Sequence, residues 1–427
     1  MLKPTKLKTA IALVGMLLLT GCGKADFGAA AGARPVVGLS EDLDSAPEGA
    51  EPDEPTFRSA ADATVPDQLI VQVQPGARVV LAADDGPKTI REFEMGHRYQ
   101  VVQIPRGMTR EAAIAKLSRR AGVRMVVPNR IYSTTLTPSD SMFSQQWALT
   151  KTNAKAAWDK GISTSGVTVA VLDTGVDYNH PELKGRVIKG PDLADKDADP
   201  MDVHGHGTHV AGVIGAAGNN NEGIAGVAWN CKILAIKVLS NGGHGTTDAV
   251  MEGIKYAADH GAKIINMSLG TSDPSIDPVL HVAMEYAYKK GVLIVAAAGN
   301  DRSLVGSPAN DPYAIAVSST SNFWKFEWLS MFSNRGDKVE VAAPGGGIWS
   351  LMPSQGAKMG RMYGKLSGTS MAAPFVSGEA ALIIAKYPNW TVEQVRNRIR
   401  SAVDDKGTSG KDSLYGYGRV NLGKALD

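Results

Sequence analysis

A chain of 427 residues is too long for one small domain and suits two or three. With 43% apolar residues it can bury a large core, while a formal charge of +2 and no basic run exclude bulk electrostatic attraction to nucleic acid. Its two cysteines, Cys22 and Cys231, stand in such different surroundings that no disulfide between them is expected.

Lys3, Lys6 and Lys8 precede an apolar stretch, Ile11 to Leu19, of signal-peptide length and shorter than a membrane span. The stretch ends in Leu19-Thr20-Gly21-Cys22, which resembles a bacterial lipobox: a signal at 1–21, cleaved ahead of an acylated Cys22. An ordinary secretory signal with a chance cysteine is the competing reading. Several acyl chains on one residue suffice for stable anchoring. Gly23, rather than Asp, points to an outer membrane if the organism has one. Residues 22–64 carry only acidic charge from Glu41 to Glu54 and few large apolar groups, so they read as a tether.

Patterned sequence starts at Val65. Leu69, Val71 and Val73 alternate along a strand from Asp67 to Gln74, and Tyr99 to Ile104 reads as a second strand. A short helix follows with Thr109 as its cap and Ala113, Leu117 and Ala121 on one face. Val123 to Val127 makes another strand, expected to stop at Pro128-Asn129. Residues 65–135 therefore predict a small α+β domain.

From 136 to 427 apolar runs alternate with helical segments. Val167–Leu172, Ile233–Leu239, Lys263–Ser268 and Val292–Ala297 read as buried parallel strands. Thr247–Asp259 and Pro278–Lys290 read as helices, and a last helix starts at Thr391 with Gln394 placed for a capping box. The alternation predicts an α/β, doubly wound, mostly parallel sheet with helices on both faces. Cys231, beginning one of the strands, reads as a buried small hydrophobe.

Three short blocks carry the chemistry: V-L-D-T-G-V-D around Asp173, H-G-H-G-T-H-V-A-G around His206 and G-T-S-M-A-A-P around Ser370. Nucleophilic acyl transfer needs a hydroxyl activated by an imidazole and a carboxylate that orients the imidazole. The order Asp, His, Ser differs from that of chymotrypsin and the α/β-hydrolases. Asp173-Thr174-Gly175 alone could imitate an aspartic-protease motif, but no second copy exists to share a proton. His204, His206 and His209 raise zinc as an alternative, yet no HExxH-type spacing accompanies them.

With these blocks, residues 136–427 resemble the subtilisin-like (subtilase) serine endopeptidases, nearest to the thermitase type. The resemblance implies Asp173, His206 and Ser370 as triad and Asn300, in Ala298-Gly299-Asn300, as oxyanion donor. It implies His209 as a structural residue facing the interior, with His204 solvated. Gly243-His244-Gly245 and Ser268-Leu269-Gly270 would be the two edges that hold an extended peptide. Phe375 stands where a histidine is usual. Structural calcium would bind the side chains of Asp140, Glu182 and Asn220 and the carbonyls of Glu222 and Ile224, against a reading of these loops as merely polar. Most members carry Asp where this chain has Glu182. No catalytic metal or organic cofactor is expected.

The domain at 65–135 resembles the family's ferredoxin-like propeptide, an intramolecular inhibitor and chaperone, through V-P-D-Q-L-I-V-Q-V and V-R-M-V-V-P-N-R-I-Y. An unrelated accessory domain is the alternative. The expected protein is an exported, self-processing zymogen and a monomer. It would be membrane-bound through Cys22 until a cut near Thr135–Leu136 releases the catalytic domain. A neutral His206 as base predicts activity lost on acidification near the ordinary histidine value of about 6.5.

Overall fold

A computed structural model describes residues 64–77, 86–130, 137–195, 197–323, 326–354 and 362–427. All belong to the unit Pro55–Asp427. The signal, Cys22, nearly all of the acidic tether and the Thr135–Leu136 bond lie outside these residues.

The N-terminal part is a four-stranded antiparallel sheet of β1 (Thr64–Val73), β2 (Lys88–Glu94), β3 (Arg98–Gln103) and β4 (Val123–Arg130), in the order β2-β3-β1-β4, with helix α1 (Arg110–Ser118). Leu69, Val71 and Val73 are buried against Ala113 and Leu117 of α1, as the alternation requires. Thr109 caps α1 by accepting the Ala112 N–H at 3.2 Å. Three details differ from expectation. Helix α1 ends at Ser118, so Ala121 lies outside it and is exposed, because the chain turns through Arg119–Gly122 into β4. Strand β4 runs through Pro128, which the sheet tolerates because β4 is an edge and a missing N–H there breaks no ladder. Strand β2 lacks an apolar alternation because nearly all of it is exposed.

The second part begins with two short helices, α2 (Trp147–Lys151) and α3 (Ala154–Trp158). Then come β5 (Thr168–Asp173), β6 (Val187–Asp192), α4 (His206–Gly215), β7 (Lys232–Lys237), α5 (Thr247–Asp259) and β8 (Ile264–Met267). After them run α6 (Pro278–Lys289), β9 (Leu293–Ala297), β10 (Ala314–Phe323), β11 (Phe326–Leu329) and β12 (Val341–Gly346). The chain finishes with β13 (Ile348–Leu351), β14 (Tyr363–Leu366), α7 (Thr369–Lys386), α8 (Val392–Ser401), β15 (Val403–Asp404), β16 (Arg419–Val420) and α9 (Leu422–Ala425). The main sheet has the order β15-β16-β12-β10-β9-β8-β5-β7-β6, parallel from β6 through β16, with β11 hairpinned onto β10.

Alternate residues of each central strand feed two cores. Val169 and Val171 of β5 join α4, α7 and α8 on one face. Ala170 and Leu172 join α5 and α6 on the other. This is the doubly wound arrangement. Helix α8 carries the expected capping box between Thr391 and Gln394. Among the described residues no helix is long and apolar enough to cross a membrane.

Candidate active site

The carboxyl ends of β5, β8 and β9 lie side by side, and each delivers one group to the same cleft. Asp173 is the last residue of β5, Ser268 follows β8, and Asn300 follows β9. Such an edge is where ligands of open parallel sheets gather.

His206 opens α4, and its ring is brought to Asp173 by a close crossing of two glycines. A Cβ on Gly207 would collide with the Gly175 carbonyl and sit 3.1 Å from Asp173 Cβ, so only glycine allows the helix to start there. His206 Nδ1–H donates to Asp173 Oδ1 at 2.7 Å, and the Thr174 N–H donates to the same oxygen at 2.8 Å. Burial disfavours the imidazolium of His206. The charge and hydrogen bond of Asp173 and the charge of Asp202 outweigh it, so the pKa lies above the ordinary histidine value. The expected midpoint near 6.5 is corrected upward accordingly.

Asp202 was not singled out in the sequence. It is buried, and its two oxygens accept five hydrogen bonds: from Thr174 Oγ1, His204 N and Gly205 N at 2.9 Å each, Thr208 N at 2.9 Å and Thr208 Oγ1 at 2.7 Å. Thr174 Oγ1 accepts in turn from Gly207 N at 3.0 Å. One carboxylate thus joins the end of β5 to the first turn of α4. Its position four residues before His206 is the signal that sequence reading could have used.

Ser370 lies in the first turn of α7. Pro374, four residues on, has no N–H to donate to the Ser370 carbonyl, so that oxygen lacks its helical partner. Ser268 Oγ–H fills the vacancy at 2.7 Å. Ser268 Oγ accepts from Asn266 Nδ2 at 3.0 Å, and Asn266 Oδ1 accepts from Ser377 Oγ at 2.8 Å. All three side chains are buried, and Asn266 and Ser377 were also missed in the sequence. The Ser370 hydroxyl itself donates to the Ser268 carbonyl at 3.1 Å.

Asn300 is oriented by Thr369, whose N–H and Oγ1–H both reach Asn300 Oδ1, at 2.8 and 3.0 Å. With its oxygen so occupied, the amide leaves its two N–H donors for the cleft. His206, Asn300 and Ser370 line one pocket of about 350 Å³. A neighbouring pocket of about 390 Å³ is bounded by Asn300, Ser370 and the Leu269–Ser272 segment. An open groove of about 940 Å³ runs between the two predicted edges, Gly243-His244-Gly245 and Ser268-Leu269-Gly270, with His206 in its wall.

The remaining histidines separate cleanly. His209 is fully buried, its Nε2–H donates to Ile348 O at 3.0 Å, and burial drives its pKa down to about 3. His204 is exposed at the rim, its ring 6.4 Å from that of His206. Phe375 packs in the core beside α4 and α7. Cys231 is buried, and burial pushes its thiol up to about 12, which makes it inert.

The three segments predicted to hold calcium also meet. Asn219 N donates to Asp140 Oδ2 at 2.8 Å, Ile224 N to Glu182 Oε1 at 3.2 Å, and Glu222 N to Asn220 Oδ1 at 2.9 Å. Asp140 Oδ1 and Glu182 Oε2 are buried without a hydrogen-bond partner among the described residues. Burial above all, with the charges of Asp140 and Glu222, pushes the Glu182 carboxyl up to about 7. Gly223 keeps the space clear, since a Cβ there would collide with the Glu182 carboxyl and the Tyr363 ring. Among the described residues no three His, Cys, Asp or Glu side chains cluster for a metal. Two orphaned carboxylate oxygens beside amide and carbonyl oxygens nevertheless fit a hard cation.

Residues 164–418 match the model of the subtilase family, Peptidase S8. The chain belongs to the subtilase family. Thermitase of Thermoactinomyces vulgaris is 43% identical over 292 residues, spanning 68% of this chain and 99% of that protein. A thermophilic serine proteinase of Bacillus sp. strain AK1 is 41% identical over 318 residues, 74% of this chain and 76% of the relative. A solved protease of Pseudoalteromonas arctica superposes with a TM-score of 0.60 at 32% identity, over 68% of this chain and 99% of that one. This subtilase is accordingly a serine endopeptidase of the subtilisin-like fold, close to the thermitase type.

Proposed function

We propose that this subtilase hydrolyses peptide bonds through Asp173, His206 and Ser370 and is made as a lipid-anchored zymogen that cuts itself. The observation carrying the catalytic reading is the 2.7 Å bond from His206 Nδ1 to Asp173 Oδ1, in a pocket whose wall includes Ser370 and Asn300. With the proton on Nδ1, Nε2 presents the lone pair. The Ser370 hydroxyl swings from Ser268 O toward Nε2, which takes its proton as Oγ attacks the substrate carbonyl. Asp173 steadies the ring and its cationic form, and His206 then passes the proton to the leaving amine. Water activated in the same way releases the acyl group. Asn300 Nδ2 and the Ser370 N–H stabilise the oxyanion. The swing also frees Ser268 O for a substrate N–H, so that an extended peptide adds as a strand between the two edges.

Residues 65–135 serve as inhibitory propeptide, supported by the four-stranded sheet with one helix. Calcium would be held by Asp140, Glu182, Asn220 and the carbonyls of Glu222 and Ile224. When bound it would cross-link these segments electrostatically. Export and anchoring rest on the sequence of residues 1–22. A fluorophosphonate probe tests the core of the proposal: it should label the protein, and Ser370→Ala should lose both the label and turnover, by a factor on the order of 10⁶ as in subtilisin. Labelling or turnover that survives Ser370→Ala would refute it.

A further inference from the structure

Six consecutive residues, Phe323 to Trp328, hold four aromatic side chains in a chain that is only 6% aromatic. Three of the four lie on the described strands of the β10–β11 hairpin, where Phe323 pairs with Phe326, Asn322 with Glu327 and Ser321 with Trp328. Residues two apart on a strand share a face, so Phe326 and Trp328 point the same way and Glu327 the other.

The Glu327 face is fastened to the body. Glu327 pairs with buried Arg419 at 3.2 Å and accepts from Thr320 Oγ1 at 2.8 Å, while Tyr415 Oη accepts the Leu329 N–H at 2.9 Å. The opposite face is open: Phe326 is 67% and Trp328 62% exposed, and Phe323, opposite Phe326 across the ribbon, is 69% exposed. A scattered exposed hydrophobe needs no explanation, but a contiguous aromatic patch on an anchored ribbon does.

We propose that this hairpin face binds the surface of a lipid bilayer, with Phe323, Phe326 and Trp328 entering the boundary between headgroups and acyl chains. Three arguments select that occupant. The patch lies at the end of a two-stranded ribbon, and a soft bilayer admits an exposed apolar face where a folded partner would need a matching surface. Its apolar area is roughly 400–500 Å², below the ~800 Å² per partner that a stable protein interface buries. Trp328, apolar in body with one polar N–H, is of the side-chain type that favours the membrane–water interface. If Cys22 is acylated, only the 41 residues 23–63 separate that anchor from Thr64, where the described residues begin, which would hold the folded unit near a membrane.

Bilayer binding itself does not depend on acylation, although its use in the cell rests on the reading of Cys22 above. After a cut near Leu136 the catalytic domain would have no covalent tether, and the hairpin would retain it reversibly. Because β10 continues past the sheet edge that carries Asn300, retention would hold the cleft near polypeptides at the membrane surface.

The test uses the chain without residues 1–22 and with Ser370→Ala, so that neither acylation, the signal nor self-cleavage contributes. Sedimentation with phosphatidylcholine vesicles should show binding, accompanied by a blue shift of tryptophan emission. The double variant Phe326→Ser, Trp328→Ser should weaken binding by tenfold or more. In the chain with Ser370 intact, the same double variant should leave cleavage of a short peptide within twofold, which verifies folding. Failure to bind phosphatidylcholine vesicles would overturn the proposal, as would binding that the double variant leaves intact. So would a concentration-dependent dimer abolished by the double variant, which would make the occupant a second copy. Weaker cleavage of protein substrates by that variant, without any change in vesicle binding, would identify a substrate-docking face instead.

Discussion

Asp202 shows how a residue outside the proposed triad tunes His206, the proposed base. Five donors converge on its carboxylate, and its charge helps raise the pKa of His206. Because His206 acts neutral, activity should fall as pH drops through that raised pKa and be complete above it. The kcat/KM profile should therefore have its acid limb above about 6.5. Asp202→Asn keeps the shape but removes the charge. It should move the limb toward lower pH and cost about 2–3 kcal/mol of stability through weakened charge-assisted bonds. An unmoved limb with reduced stability would make Asp202 purely structural. The meeting of Asp173, His206 and Ser370 was legible because each sits in a short block of small residues that no ordinary turn requires. Asp202, Asn266 and Ser377 were not, because their partners lie on other elements: Ser377 meets Asn266 across 111 positions of sequence. Nothing near either residue announces the contact.

At the scale of elements, the apolar runs of β5, β7, β8 and β9 disclosed the parallel sheet, since strands buried on both faces need no alternation. Their lateral order was not legible: β5 lies between β7 and β8, an adjacency written in no local pattern. Helix α7 hides a further anomaly. Glu379 is fully buried on it, both carboxyl oxygens lack hydrogen-bond partners among the described residues, and burial raises its pKa well above the usual range despite the charges of Arg419 and Arg398. A folded pKa above the unfolded value means that the folded state holds the proton more tightly. The associated stability is fully present below about 4.5 and is lost as pH rises toward the folded pKa, at ~1.4 kcal/mol per pH unit. Glu379→Gln should remove this slope. On a Ser370→Ala background, its Tm relative to the parent should be more favourable at pH 8 than at pH 5. Equal differences at the two pH values would show that Glu379 does not titrate between the folded and unfolded states.

For the whole molecule, two proposed events would couple distant parts of the chain. The first is calcium: Asp140, Glu182 and the 219–224 loop come from three segments, so a bound cation would stabilise the fold by linkage. At a free concentration 100 times Kd the gain is about 2.7 kcal/mol, or ~5–10 °C in Tm for a domain of this size. A chelator should remove that gain from the Ser370→Ala protein, and Glu182→Gln should abolish the response; equal Tm with and without calcium would argue for polar loops alone. The second event is maturation. If the domain at 65–135 occupies the cleft of its own chain, cleavage depends on Ser370, and the new amino terminus should fall at or beside Leu136. N-terminal sequencing of the processed protein checks the position, while Ser370→Ala should remain full length. Mixing Ser370→Ala with active enzyme separates the routes. A first cut made within one chain should proceed at a fractional rate independent of total concentration, whereas cutting between chains should accelerate with it. An amino terminus well inside the catalytic domain, or processing that persists in purified Ser370→Ala, would sever the link between the triad and maturation.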